Sequence, residues 1–315
     1  MPVATPVLQP ASARPSVTSP TAFPVLTGYL RNNIGFDGVC MTDSMGMAGI
    51  TSGYTVAQAT VLAIQAGNDL LSLPPDLDGA ISALKSAVSG GTITESRIDQ
   101  SVLRILKLKR KYGIFDNPFV DANAASTIVG SPDHRASELT AARAAITLVK
   151  NTGNALPLNL TADQKVLLVT VTSSTETTTD AAARFAPYIA AKHANMQSMP
   201  ISESPNSTTR NSVKTAAASC AAIVVGTSRA NLYSSQITLV NDLIATGKPV
   251  ICVGLREPYE LASFPTVPAY LCTYNYKTCG FAAAADVVFG DYNPGGLLPV
   301  SIPGTSYAFG WGLNY

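Results

Sequence analysis

Asp43 is the residue of this chain whose type and setting most directly suggest chemistry. It lies in the segment Ile34-Gly-Phe-Asp-Gly-Val-Cys-Met-Thr-Asp-Ser-Met-Gly-Met. Gly35 and Asp37-Gly38 break what precedes, Val39, Cys40 and Met41 form a short apolar run, and Thr42-Asp43-Ser44 ends it with a carboxylate. Gly46 and Gly49 then let the backbone turn sharply. A buried parallel strand that delivers an acid to the open end of a sheet or barrel has this pattern. Catalytic groups gather at that end in such folds. An acid that caps the next helix or turn gives the same local pattern, so the residues alone leave both readings open.

Other chemistries find less support. Serine nucleophiles need a histidine within reach, and the chain has two, His134 and His193. His134 opens a helix in Ser131-Pro-Asp-His-Arg and His193 ends one. Neither follows a strand, so both are read as structural or exposed. The five cysteines form no CxxC pair and no metal-ligand spacing, and no metal site is predicted. Cys40, Cys252 and Cys272 lie in apolar runs as small buried hydrophobes. Cys272 and Cys279 are the one pair close enough in sequence for a local disulfide. Gly226 and Gly254 are isolated, with neither GxGxxG nor GxxxxGK[ST], so no nucleotide cofactor is predicted. A carboxylate at a strand end remains, and it suits glycosyl transfer to water. Retaining glycosidases use one carboxylate as nucleophile and a second group as acid/base, with the carboxylates about 5 Å apart.

The elements that must position Asp43 follow from composition and periodicity. At 315 residues, 46% apolar and 13% charged, the chain can build two domains with real cores. A formal net charge of +1 argues against a nucleic-acid partner. The basic run Arg104–Lys111 alternates with apolar residues and reads as the solvated face of a helix. No apolar run is long enough to span a bilayer, so no membrane partner is predicted. Met1-Pro-Val-Ala-Thr-Pro-Val-Leu lacks a basic region followed by an apolar stretch, and is read as a short strand rather than a leader.

Strand and helix signals then alternate. Strands are expected near residues 2–6, 38–42 and 69–73, and helices over Ser19–Asn32, Thr55–Ala66, from Asp76 to Val88 and from Thr94 to Tyr112. In the last helix Ile98, Val102, Ile105 and Lys109 share the expected inward face, widened by Leu106. Three such strands are too few for a closed eight-stranded barrel. Asn, Pro, Asp and Ser then mark a linker over residues 116–132. In the second half, helices are expected over Pro132–Lys150, Asp180–Lys192, Ser234–Thr246, Tyr259–Ser263 and Phe281–Phe289. Strands are expected at Val166–Thr172, Ala221–Gly226, Pro249–Gly254, Ala269–Tyr274 and Leu297–Ile302, with 195–209 a surface loop. This pattern predicts a self-contained, open, doubly wound sheet.

Several of these segments resemble glycoside hydrolase family 3. Leu30-Arg-Asn-Asn-Ile-Gly-Phe-Asp-Gly-Val-Cys-Met-Thr-Asp-Ser-Met resembles its nucleophile segment. Ala66-Gly-Asn-Asp-Leu-Leu-Ser-Leu-Pro is similar to its last barrel strand, and Arg97–Phe115 to its last barrel helix. Ala145-Ile-Thr-Leu-Val-Lys-Asn-Thr-Gly-Asn-Ala-Leu-Pro-Leu resembles the opening of its C-terminal α/β sandwich. Phe289–Pro303 and Phe309-Gly-Trp-Gly-Leu-Asn-Tyr resemble its closing segments. Thr-Asp-Ser-Met, with Gly254-Leu-Arg-Glu-Pro-Tyr, is most similar to the two-domain β-N-acetylglucosaminidase (β-N-acetylhexosaminidase) branch.

The resemblance implies an α/β chain in which residues 1–115 are the C-terminal portion of a (β/α)8 TIM-type barrel, about strands six to eight. Residues 133–315 are implied to be the sandwich domain, with an open, mostly parallel sheet. It implies Asp43 as nucleophile, a covalent glycosyl-Asp intermediate and a terminal β-linked N-acetylglucosamine substrate. It also implies an acid/base His paired with an Asp, near a Lys-His-Phe-Pro-Gly-His-Gly-Asp motif, and nothing in this chain matches that motif. Thr5 stands where the branch usually shows His. The expectation is therefore a hydrolase needing a complementary N-terminal barrel segment. The alternatives are a β-glucoside substrate, or a non-catalytic remnant serving assembly or carbohydrate interaction.

Overall fold

The structure is a computed structural model that describes residues 24–172 and 181–315. The expected strand at 2–6, Thr5 and the start of the helix expected from Ser19 lie outside the described residues. The chain divides into two compact units, Met1–Ala124 and Ala125–Tyr315.

In the first unit a π-helical segment, Pro24–Asn33, precedes a parallel pair of short strands, β1 (Met41–Ser44) and β2 (Leu70–Ser72). Between them lie α1 (Ala48–Thr51) and α2 (Val56–Ala66); α3 (Leu77–Ser89) and α4 (Glu95–Lys111) follow. The helix starts are those the residues specify. Thr55 and Gln58 form a reciprocal capping box on α2, while Asp76 and Thr94 accept the N–H groups of Gly79 and Arg97. Gly67, at φ 120°, caps α2 in a conformation that a side chain would strain. One face of the β1–β2 pair is covered: Met45, Ile50, Ala59, Ala63 and Leu71 form one apolar cluster, and Ile64, Ala87 and Ile93 another.

The second unit begins around α5 (Ala122–Ile128), which lies inside the segment 116–132 expected as a linker, and α6 (Pro132–Ala145). A six-stranded sheet follows: β3 (Thr147–Asn151), β4 (Val166–Thr172), β5 (Met196–Ser202), β6 (Ala222–Thr227), β7 (Val250–Gly254) and β8 (Ala269–Cys272). Its strand order is β3-β8-β7-β6-β4-β5, and every pairing is parallel except β3 with β8. Helices α7 (Ala181–Lys192), α8 (Ser207–Ala218), α9 (Ser234–Ile244) and α10 (Thr278–Val288) cover the sheet. Strand β4 shows why both faces need cover: Val166 and Leu168 enter one core with α6, α7 and α10, while Leu167, Val169 and Val171 enter the other with α8 and α9. The fold is thus mixed α/β with a mostly parallel sheet, as expected.

Several local expectations are corrected. The helix expected through Lys150 ends at Ala145, where the sequence changes from Ala-rich to the Ile146-Thr-Leu-Val run of β3. Residues 195–209 are not a surface loop. They hold β5, a half-buried edge strand whose Pro200 costs no ladder bond on the open side, and the start of α8. Leu297–Ile302 forms no strand, although Leu298 and Ile302 are buried. The segment Pro258–Ser263 is a 3-10 helix. Cys272 and Cys279 are both free thiols, Cys272 wholly buried on β8 and Cys279 in the first turn of α10. His193 is buried, with Nε2 2.6 Å from the Gln164 carbonyl oxygen and its ring stacked on Phe289.

Gly296 shows how closely the chain packs beside β3. Its N–H donates to the Ile146 carbonyl at 3.1 Å, and a Cβ there would collide with the carbonyl oxygens of Ala145 and Ile146. Gly296→Ala is expected to destabilise the second unit by about 1–3 kcal/mol, the usual cost of overpacking. Urea unfolding followed by a probe in that unit measures it, and an unchanged midpoint would refute the close approach.

Candidate active site in the first unit

Asp43 stands at the carboxyl end of β1, one residue before the strand ends at Ser44. The strand starts at Met41 rather than near residue 38. Alternation along it buries Thr42 on the helix-covered side and leaves Met41 and Asp43 on the other. Met41 is 65% exposed, and its register partner Leu70 is exposed as well. The open face of the sheet therefore carries the carboxylate and apolar side chains together. Asp43 Oδ1 accepts the Ser44 N–H at 2.7 Å. No ion pair joins Asp43 to a second titratable group among the described residues.

The pair of strands is held at both ends. The Cys40 carbonyl accepts the N–H groups of Asp69 (2.8 Å) and Leu70 (3.1 Å). Met45 N–H donates to Ser72 O at 2.8 Å, and Ser72 N–H to Thr42 Oγ1 at 3.0 Å. The Thr42 hydroxyl thus takes part in pairing the strands, turned away from Asp43.

The strongest anchor is Asp69, 6% exposed and entering β2. Its Oδ2 accepts from Arg31 Nη2 at 2.6 Å and from the Cys40 N–H at 3.0 Å. Its Oδ1 accepts from Ser101 Oγ at 2.6 Å and Arg104 Nη1 at 3.3 Å, with Arg97 Nη1 at 3.6 Å. The guanidiniums reach further. Arg31 Nη1 donates to the carbonyls of Phe36 and Gly38, Arg97 Nη2 to that of Asn68, and Arg104 Nε to Asp37. One carboxylate thereby ties together the π-helical segment, the approach to β1, the start of β2 and α4. Burial raises the Asp69 pKa, but the bonds from Ser101 and Cys40 N–H and the charges of Arg31 and Arg104 outweigh it, leaving the group below its ordinary 3.8.

This cluster corrects the expected inward face of α4. Ser101 is buried, with Arg97, Ile98, Arg104 and Ile105 half-buried, whereas Val102, Leu106 and Lys109 are exposed. Sequence reasoning passed over Arg97, Ser101 and Arg104. Their spacings of four and three put them on one helix face, which was the available signal. Their partner, Asp69, lies too far away in sequence to be inferred from that spacing.

Comparison with known proteins gives two family matches: the glycosyl hydrolase family 3 N-terminal domain over residues 9–108 and the family 3 C-terminal domain over residues 146–315. The chain is 27% identical to the lysosomal beta glucosidase of Dictyostelium discoideum, over 91% of this chain and 40% of that protein. It is 27% identical to beta-hexosaminidase A of Pseudoalteromonas piscicida, over 92% of this chain and 53% of that one. Its fold resembles that of a glycoside hydrolase family 3 beta-N-acetylglucosaminidase from Paenibacillus sp. str. FPU-7, with a TM-score of 0.72 and 24% identity over 87% of this chain and 53% of that chain. The chain spans about half the length, or less, of these relatives.

An Asp held below its ordinary pKa contributes stability that is whole above about pH 4 and is lost as pH falls through the folded value. Asp69→Asn removes that contribution and leaves buried guanidiniums uncompensated, a loss of about 3–5 kcal/mol. The expected result is selective proteolysis of the first unit in the variant at neutral pH. Equal resistance in variant and parent would show that the cluster is not the anchor.

Proposed function

The chain belongs to glycosyl hydrolase family 3, and on that premise we propose that Asp43 is the nucleophile of a retaining glycoside hydrolase. The observation that carries the reading is the position of Asp43 at the carboxyl end of a parallel strand, on the sheet face left open by the helices. The carboxylate attacks the anomeric carbon as the bond to the leaving oxygen breaks, and a separate acid gives that oxygen its proton. Water, deprotonated by the same group acting as base, then cleaves the glycosyl-Asp ester.

The proposed substrate is a terminal β-linked N-acetylglucosamine, on the resemblance of Thr42-Asp-Ser-Met and Gly254-Leu-Arg-Glu-Pro-Tyr to the acetylglucosaminidase branch. A β-glucoside is the alternative, since relatives named beta glucosidase and beta-hexosaminidase both align with the chain. Residues 1–115 are proposed as the C-terminal part of the barrel, 116–132 as the connection and 133–315 as the sandwich domain. The acid/base is proposed to come from a complementary N-terminal barrel segment, in the same polypeptide or another. The open face bearing Met41 and Leu70, with Leu73 72% exposed beyond β2, supports a need for further cover.

A second reading, a non-catalytic module for assembly or carbohydrate interaction, is favoured by the lack of a second titratable partner for Asp43 among the described residues. Assays on chromogenic N-acetylglucosaminide and glucoside separate the two. The 315-residue chain alone is expected to show little turnover. Mixed with or fused to the N-terminal barrel portion of a family 3 relative, it should gain activity that falls at least about a thousandfold in Asp43→Asn. Strong activity of the isolated chain would overturn the need for the complementary segment. Activity in the completed protein that survives Asp43→Asn would overturn the nucleophile assignment.

A further inference from the structure

The carboxyl end of the second unit's sheet contains a buried carboxyl group that plays no part in the chemistry proposed for Asp43. The five parallel strands run β5-β4-β6-β7-β8, so the chain leaves β6 where the strand order reverses. Thr227 and Ser228 are buried there, Arg229 adopts a left-handed conformation at φ 50°, and the 3-10 turn Ala230–Leu232 follows. The 3-10 helix after β7 sets Glu260 against this turn, with 0% of the residue exposed.

Glu260 Oε1 accepts the Arg229 N–H at 3.0 Å, and the Ala230 N–H also bonds the carboxyl group. Oε2 and Thr227 Oγ1 make no well-formed hydrogen bond among the described residues, although the Thr227 hydroxyl faces the same carboxyl closely enough to favour its ionised form. No cation among the described residues compensates the group. The Arg229 guanidinium pairs instead with Glu203, at 3.1 Å, and Tyr233 Oη donates to that same carboxylate at 3.3 Å. The other titratable groups facing Glu260 are Glu257 on its own segment, Cys252 on β7, and Tyr270 and Cys272 on β8. Each is neutral or acidic.

An ionised carboxylate here would hold a buried charge with no cation beside it among the described residues, and only the Thr227 hydroxyl to turn toward Oε2. A protonated one is neutral, and its O–H can donate to Thr227 Oγ1 while Oε1 keeps its backbone donors. The proton thus lets both atoms pair without burying a charge. We propose that Glu260 is a proton-operated clasp: protonated, it locks the turn after β6 to the segment after β7, and ionised, it loosens the turn around Arg229. Burial pushes its pKa up to about 7, against the pull of Thr227 and the two N–H groups. An acid with a folded pKa above its ordinary 4.5 gives stability that is whole below 4.5, declines as pH rises to about 7, and is gone above it. The contribution of Glu260 to the second unit is accordingly greatest in acid.

The test is thermal unfolding of the full chain between pH 4.5 and 8, beside Glu260→Gln, whose amide can donate to Thr227 in place of the proton. The parent's Tm is expected to fall by roughly 5–10 °C more than the variant's across that range. Equal pH slopes would overturn the clasp. Should the variant not fold, amide exchange at Arg229 and Ala230 in the parent decides. After correction for base catalysis, their protection should drop several-fold between pH 6 and 8, and constant protection would refute the proposal.

Discussion

Removing a carboxylate from water is tolerable only where other charges and dipoles replace its hydration, and Asp69 meets that requirement by drawing in groups from three places in the chain. Arg31 comes from the π-helical segment, the Cys40 N–H from the approach to β1, and Arg97, Ser101 and Arg104 from α4. A two-stranded sheet has little stability of its own. The direction in which β1 delivers Asp43 therefore depends on a residue that has no part in the proposed reaction.

The two units meet the burial problem differently. The second covers both faces of its sheet, so alternate residues of β4 enter opposite cores. The first covers one face, and Asp43 lies with Met41 on the other. This difference links fold to function. The second unit's sheet is covered on both faces, whereas the open face of the first bears the candidate nucleophile, and in the proposed function that is the face where a sugar is enclosed and its acid supplied.

Two buried carboxyl groups also show how surroundings decide charge. Asp69 lies among guanidiniums and stays ionised despite its burial. Glu260 has backbone donors but no cation among the described residues, and burial dominates. Residue type alone does not distinguish them; the identity of the neighbours does.

The sequence by itself determined a good deal. Caps at Thr55, Asp76 and Thr94, the stop at Gly67, and the buried runs of β4, β6 and β7 rest on local rules that adjacent residues satisfy. Asp43 was legible as an acid at a strand end for the same reason. Tertiary structure decided what local periodicity cannot encode. It made a strand of the polar stretch Met196–Ser202 because β4 offered an edge, and it broke the helix expected to run into β3 because β8 offered a partner. It also turned the Arg97–Ser101–Arg104 face of α4 inward, against the apolar pattern, because Asp69 waits there. In each case the deciding partner lies about thirty or more residues away, as the register of β4 with β5 and the bond of Ser101 to Asp69 record. Only folding brings such partners within reach.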